Sequence, residues 1–298
     1  MPKKIFITGA GGFVGSELLL GFNHLNYEVH ALDQFFSYAN LKKNNIFYYK
    51  NNLNKFKNKD LKKIDFFIHN AAITNYKKKY SQNNLLKDNL LLTKKSLNLA
   101  KKLNVKKYYF FSSTGIYKFN KTQYFTEESK LFSLNDYAKS KILGEKLVRS
   151  FCTKNDINYK ILRLGNLYGG FEKKLWSRKN VSIYQTWLNS AKKNHTLITN
   201  SFKTKRDWTY VKDIPQIINN IINSKNTKIK IINLVSPFVK KDIQIMKIIL
   251  KKVNKKNNFK ERTPLTTKHN ASISIYLNKF KFNEWTSPEK AINQIILE

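Results

Sequence analysis

The sequence predicts an α/β protein: a doubly wound parallel sheet with a smaller C-terminal lobe. Two observations point to the sheet. Short apolar runs alternate with helix-length segments through the first 165 or so residues, and a glycine-rich turn joins the first run to the first helix. Strands separated by helices pair in parallel, because each crossover returns the chain to the same end of the sheet. A third observation points to the lobe: beyond residue 165 the alternation loses its regularity.

The elements follow in order. "KIFIT" (4–8), "EVHALD" (28–33), "IFYYK" (46–50), "DFFIHN" (65–70), "KYYFFSS" (107–113) and "YKILRL" (159–164) read as strands. Their runs of Phe, Ile and Tyr suit strands buried on both faces. "FVGSELLLGFNHL", "NLLLTKKSLNLAKKLN" and "DYAKSKILGEKLVRSF" read as helices between them. In the second helix Leu92, Ser96, Leu99 and Leu103 recur at near-helical spacing with lysines opposite, which predicts the buried face. Later, 229–234 reads as a strand and "DIQIMKIILKKVNKK" as an amphipathic helix. A terminal helix starts near Ser287-Pro288, where proline suits the first turn. "KKVNKKNNFKERT" is the most loop-like stretch.

The bulk numbers exclude several classes. A chain of 298 residues, 41% apolar, supports a substantial core. No run approaches the roughly 18 apolar residues of a membrane span. The start, "MPKKIFITGAGG", enters a strand directly, without a secretory signal. The single cysteine, Cys152, cannot form an internal disulfide, so a cytoplasmic setting is expected. His24, His30, His69, His195 and His269 are scattered, and no metal site is expected.

The net charge of +37 invites a nucleic-acid reading. Against it, only five of 56 basic residues are arginine, the better fork for bases and phosphates. The lysines are spread through most segments, as solvated faces are. Nucleic acid is therefore not expected as a partner, although a positive field attracts anionic substrates.

"FITGAGGFVG" carries the first sign of chemistry. Amides at a helix start are unpaired and point outward, and they bind a pyrophosphate with help from the helix dipole. Gly9, Gly12 and Gly15 give G-x-x-G-x-x-G, with Phe13 and Val14 between the last two. Asp33, ending the second strand, is placed to accept hydrogen bonds from ribose hydroxyls. It would repel a 2′-phosphate, which favours NAD over NADP.

Tyrosine is followed four residues later by lysine three times, at Tyr38–Lys42, Tyr117–Lys121 and Tyr137–Lys141. Only the last lies on a helical stretch after a serine-bearing strand. A tyrosine with an ordinary pKa near 10 needs a nearby cation to act as a base at neutral pH. Lys141 stands one helical turn further along, on the same face.

Taken together, "TGAGGFVG", Asp33, "HNAA" (69–72), "FFSSTGIY" (110–117), "YAKSK" (137–141), "RLGNLYG" (163–169) and "RDWTYVKDI" (206–214) resemble the extended short-chain dehydrogenases/reductases. Within them the match is to the NAD-dependent epimerase/dehydratase family acting on nucleotide sugars. The resemblance spans nearly the whole chain. It implies a Rossmann-type domain over 1–169, with a return segment about 206–235. The substrate lobe would comprise 170–205 and 236–298. It implies catalysis by Ser113, Tyr137 and Lys141, with Lys141 also on the nicotinamide ribose. Asn52 and Leu53 would flank the adenine, and Ala71, Ala72, Thr74 and Asn89 would line the cofactor path. Asn166 and Arg206 would hold the substrate's phosphates or hydroxyls. A homodimer is also implied.

The sugar 4,6-dehydratases of this family carry Asp-Glu after the catalytic serine or threonine, where this chain has Thr114 and Gly115. The expectation is therefore an epimerase passing through a 4-keto sugar. A 4-keto-sugar reductase stands as the alternative, and a catalytically silent cofactor-sensing or nucleic-acid-binding protein as the rival from another class. The segment 170–205 departs from the family's common versions, and the sugar cannot be named from it.

Overall fold

A computed structural model of the chain describes residues 2–36, 44–57, 61, 63–76, 84–118, 124–170, 172–256, 258–262 and 271–297. The first half forms β1 (Lys4–Thr8), α1 (Phe13–His24), β2 (Glu28–Asp33), β3 (Ile46–Lys50), β4 (Phe66–His69), α2 (Leu85–Lys102) and β5 (Lys107–Ser113). Next come α3 (Asp136–Lys154), β6 (Asn158–Leu164), β7 (Asn166–Tyr168), α4 (Ile183–Lys192), β8 (Leu197–Thr199) and β9 (Lys205–Tyr210). The chain ends with α5 (Ile214–Asn223), β10 (Ile231–Leu234), β11 (Val239–Lys241), α6 (Asp242–Lys252), β12 (Phe259–Glu261) and α7 (Pro288–Leu297).

Seven strands make one sheet in the order β10-β6-β5-β4-β1-β2-β3, and every pairing is parallel. From the other edge this is the doubly wound order 3-2-1-4-5-6 with β10 added, so the winding reverses between β1 and β4. Sheets of this kind hold ligands beyond the carboxyl ends of the strands at that reversal.

Alternation along each strand divides the core into two layers. Ile5, Ile7, Phe66, Ile68, Tyr109 and Phe111 face the side covered by α1 and α5. Phe6, Phe67, Tyr108 and Phe110 face the side covered by α2 and α3. A third cluster lies away from the sheet, where Tyr168, Tyr184, Trp187 and Trp208 pack with residues of α6 and α7. Within 206–235, β9 joins a three-stranded sheet with β7 and β11, whereas β10 edges the main sheet beside β6. A smaller sheet pairs β8 with β12, the latter inside the stretch expected to be a loop.

The buried face of α2 matches the predicted one only in part: Ser96 and Leu103 are buried as expected. Asn89, Thr93, Ser96, Leu97 and Ala100 are buried, while Leu92 and Leu99 are only half-buried. Polar residues take the inner face because they find partners there. Ser96 Oγ bonds the Tyr108 hydroxyl at 2.6 Å, and Asn89 bonds both backbone groups of Ile73.

Candidate active site

A cavity of about 490 Å³ opens at the carboxyl ends of the central strands, where the winding reverses. Its first wall is the glycine turn. Gly9 has φ +71°, and a Cβ there would meet the Ala71 backbone at 2.6 Å. A Cβ on Gly15 would lie 2.1 Å from Gly9 O. The turn therefore closes only with hydrogen at both positions. Gly12, Phe13 and Val14 line the cavity beside Gly9 at the start of α1, where helix amides lack intrahelical acceptors. Gly15 sits just behind them.

Asp33 follows at the end of β2. Its Oδ2 accepts from Gly11 N at 3.0 Å and its Oδ1 from Phe35 N at 3.2 Å, so the carboxylate is oriented toward the turn. Burial raises its pKa above the ordinary value, against these backbone donors. Asn52, Leu53, Ala71, Ala72 and Thr74 also line the cavity. Asn89 does not. It stands behind the wall and braces Ile73, with a further bond to Ser140 Oγ at 3.2 Å.

The wall opposite belongs to β5 and α3. Asn135 caps α3 by accepting from Ala138 N at 2.9 Å, which places Tyr137 in the first turn and Lys141 one turn on. Ser113 ends β5, and its Oγ accepts from Gly115 N at 3.1 Å. Ser113, Tyr137 and Lys141 all line the cavity. Of the other Tyr–Lys pairs, Tyr38–Lys42 and Lys121 lie outside the described residues.

Burial dominates the electrostatics. Desolvation pushes the Tyr137 phenol up to about 12, opposed by the Arg178 guanidinium and by a hydrogen bond with Ser113. Lys141 Nζ lies 5.7 Å from the centre of the Tyr137 ring and donates to Phe111 O at 2.7 Å. Desolvation pulls Lys141 down to about 8, against the attraction of Glu145. Lys141, the cation expected to depress the phenol, thus stands beside its ring, and the Arg178 guanidinium adds a further opposing charge. Beneath them, Glu145 accepts from Ser112 Oγ at 2.6 Å and from Arg163 at 2.9 and 2.7 Å. His69, held down to about 3 by burial, is a neutral partner of Thr8 Oγ1 at 2.7 Å.

Two expected substrate residues do not line the cavity. Asn166 Nδ2 donates to Asp207 Oδ1 at 2.9 Å, and Arg206 Nε donates to Asp242 Oδ1 at 2.9 Å. Conversely, the sequence reading missed Phe35, Trp176 and Arg178, which do line it. Arg178 left one trace, as one of only five arginines in a lysine-rich chain. Among the described residues, no group of three or more His, Cys, Asp or Glu side chains is placed to hold a metal ion, and no helix is long and apolar enough to cross a membrane.

A doubly wound sheet, a glycine turn with an acid at the next strand end, and a Ser–Tyr–Lys set across one cavity together define a dinucleotide-dependent enzyme. The comparisons narrow the class. The family model described as "NAD dependent epimerase/dehydratase family" matches residues 5–234, and the chain belongs to that family. It is 29% identical over 244 residues to a putative UDP-glucose 4-epimerase of Methanocaldococcus jannaschii, covering 76% of each chain. It is 28% identical over 277 residues to the bifunctional polymyxin resistance protein ArnA of Wigglesworthia glossinidia brevipalpis, covering 83% of this chain but only 41% of that protein. Among solved structures, UDP-glucuronic acid 4-epimerase from Bacillus cereus, in complex with a fluorinated UDP-glucuronic acid and NAD, superposes with a TM-score of 0.83. That match has 19% identity and covers 98% of this chain and 97% of that one. UDP-N-acetylglucosamine 4-epimerase from Methanobrevibacter ruminantium gives 0.84 at 20% identity, covering 99% and 97%.

Proposed function

We propose that the protein is an NAD-dependent nucleotide-sugar epimerase acting through a transient 4-keto sugar. One observation carries the reading: Ser113, Tyr137 and Lys141 share a single cavity with the glycine turn and Asp33. The residues fit the cofactor. Side chains at Gly9 or Gly15 would collide with the backbone that shapes the cradle, while a Cβ on Gly12 would touch only Gly9 O, at 3.3 Å. Gly12, Phe13 and Val14 would hold the pyrophosphate, and Asp33 the adenosine ribose. Asn52 and Leu53 would flank the adenine, and Ala71, Ala72 and Thr74 the path toward the nicotinamide.

When bound, NAD supplies the hydride acceptor and donor. The chain's own residues manage the proton. Ser113 Oγ, aimed by Gly115 N and hydrogen-bonded with Tyr137, would turn its hydrogen to the reacting sugar oxygen. Tyr137 takes the hydroxyl proton as the ketone forms and returns it on reduction of the other face. Lys141 stays largely protonated at neutral pH, since its lowered value is still about 8. It would leave Phe111 O to reach the nicotinamide ribose. The UDP-sugar 4-epimerases among the similar proteins support the substrate class.

The test is to incubate purified protein with NAD and a panel of nucleotide sugars, following products and cofactor redox state. An epimer formed without net NADH is expected. Stoichiometric consumption of NADH or NADPH would instead assign a reductase, and no turnover together with salt-dependent DNA binding would assign the silent rival.

A further inference from the structure

The segment after β7 brings Trp176 to the cavity, and the mechanism above does not use it. The geometry points to Trp176, backed by Tyr76, as an aromatic shelf for the apolar face of the substrate's sugar ring. Such a shelf separates a nucleotide sugar from the bare nucleotide. The proposal rests on the nucleotide-sugar reading of this site.

Residues 175–178 close a tight turn, in which Leu175 N donates to Arg178 O at 2.9 Å and Arg178 N to Leu175 O at 3.2 Å. The turn is sewn to the segment that follows β4. Ser177 O accepts from Thr74 N at 2.9 Å and from Thr74 Oγ1 at 3.2 Å, and Lys179 N donates to Asn75 Oδ1 at 2.6 Å. Toward α1, the Arg178 Cζ lies 4.8 Å from the centre of the Phe13 ring, and its Nη2 donates to the buried Glu172. Toward α2, Trp176 stacks on Tyr76, with ring centres 6.2 Å apart and planes inclined by 30°. Tyr76 is held in turn, because its hydroxyl donates to Asp88 in the first turn of α2. Both rings line the cavity that contains Ser113 and Tyr137. A ring fixed from behind has little freedom left to lose when a ligand settles on it.

Trp176 is only half-buried, so apolar area remains that a ligand can remove from water. One face of a pyranose ring presents C–H groups, whose slight positive charge suits the negative face of an aromatic ring. The cavity's other aromatic side chains have different neighbours. Phe35 adjoins Asp33 at the adenosine end, and the Phe13 ring is covered by the Arg178 guanidinium. Phe111 is buried in the sheet, and Tyr137 is committed to the proton. An epimerase must also reduce its ketone from the face opposite to the one it oxidised. A wall of π-surface suits that reversal, since it holds the sugar without directional donors that would fix one orientation.

The tryptophans provide the readout. Among the described residues, which include all four tryptophans, Trp176 alone lines the cavity; Trp187 and Trp208 are buried in the lobe, and Trp285 packs on Phe282. The experiment titrates the NAD-loaded protein with UDP-glucose, UDP-glucuronic acid, UDP-N-acetylglucosamine and UDP, following tryptophan emission and calorimetric affinity. The tightest of the three sugars should change the emission more than UDP does. Its Kd should rise about tenfold in Trp176→Ala and largely recover in Trp176→Phe, while the Kd for UDP stays the same in all three proteins. If Trp176→Ala fails to fold, Tyr76→Leu removes the backing ring instead and should weaken the sugar nucleotide alone. An unchanged sugar-nucleotide Kd in the variant, or an equal loss for UDP, would overturn the shelf, because a stack that only packs the segment weakens every ligand alike. Those outcomes leave the nucleotide-sugar reading standing, since the native protein still binds. A native protein that binds none of the four ligands overturns both readings together.

Discussion

Tyr137 is set by two opposed local effects. Burial pushes its phenol up to about 12, whereas a base at neutral pH needs the anion favoured. Arg178 and Ser113 pull in the right direction in the protein alone, and the oxidised nicotinamide would add a further positive charge. Removing the hydroxyl removes the proton path and leaves the ring's packing. Tyr137→Phe should therefore lower kcat at least about a hundredfold on whichever nucleotide sugar is turned over, with folding unchanged by circular dichroism. Near-native kcat would take Tyr137 out of the mechanism. Ser113, Tyr137 and Lys141 were legible because local structure sets their spacing: a strand end, then one turn at a helix start. Arg178 was not, since its partner Glu172 lies six residues away in a segment with no periodicity. Arg206, expected at the substrate, pairs with Asp242 and is absent from the cavity's lining. Three of the five arginines sit on acids, as Arg163–Glu145, Arg178–Glu172 and Arg206–Asp242. In a chain that otherwise chooses lysine, a planar fork signals a buried carboxylate before it signals a phosphate.

At the level of elements, the strands were the more legible half. β1, β2, β3 and β5 run over the predicted residues; β1, β2 and β5 are buried along nearly their whole length, while β3 lies at the sheet's edge with Phe47 exposed. Helix ends were less so. Asn26, Asn104, Asn194 and Asn254 take the left-handed conformation just after α1, α2, α4 and α6, where glycine is more usual. Asparagine is so frequent in this chain that it carried no signal as a stop. The inner face of α2 was legible only in part, at Ser96 and Leu103, because the hydrogen bonds of Asn89 and Ser96 share it with Leu97 and Ala100. The glycine turn was legible because its geometry admits no substitute. Gly15→Ala would place a methyl 2.1 Å from Gly9 O, against backbone that cannot move without opening the turn. NAD affinity, read by calorimetry, should fall at least about tenfold, while the lobe's core is untouched. Native affinity in Gly15→Ala would mean that the turn is not the pyrophosphate site.

For the whole molecule, the lysine excess meets the fold at Lys160, one of the few lysines buried by it. Lys160 lies near the amino end of β6, inside the sheet between β5 and β10, where it is 4% exposed. Its Nζ donates to Asn226 O at 2.9 Å and Ile229 O at 2.7 Å, and lies 5.2 Å from the centre of the Phe280 ring. No carboxylate is among these partners. Desolvation, with repulsion from Lys230 and Lys107, pulls its pKa down from 10.5 to about 8. The sign follows from proton counting. Between pH 8 and 10.5 the unfolded chain holds the proton that the folded chain has released, so raising pH favours folding. The contribution is complete above the unfolded value and is lost as pH falls through about 8. Its slope is at most about 1.4 kcal/mol per pH unit. Lys141 is shifted the same way, and other surface lysines discharge over the same range, so the native curve alone cannot isolate one side chain. Lys160→Met keeps the stem over Phe280 but strands two carbonyls, a cost that does not vary with pH. The stability difference between native protein and Lys160→Met, followed by denaturant unfolding from pH 7 to 10.5, should therefore widen with rising pH. Parallel curves would show that Lys160 stays charged inside the fold, paired with its carbonyls as an ammonium.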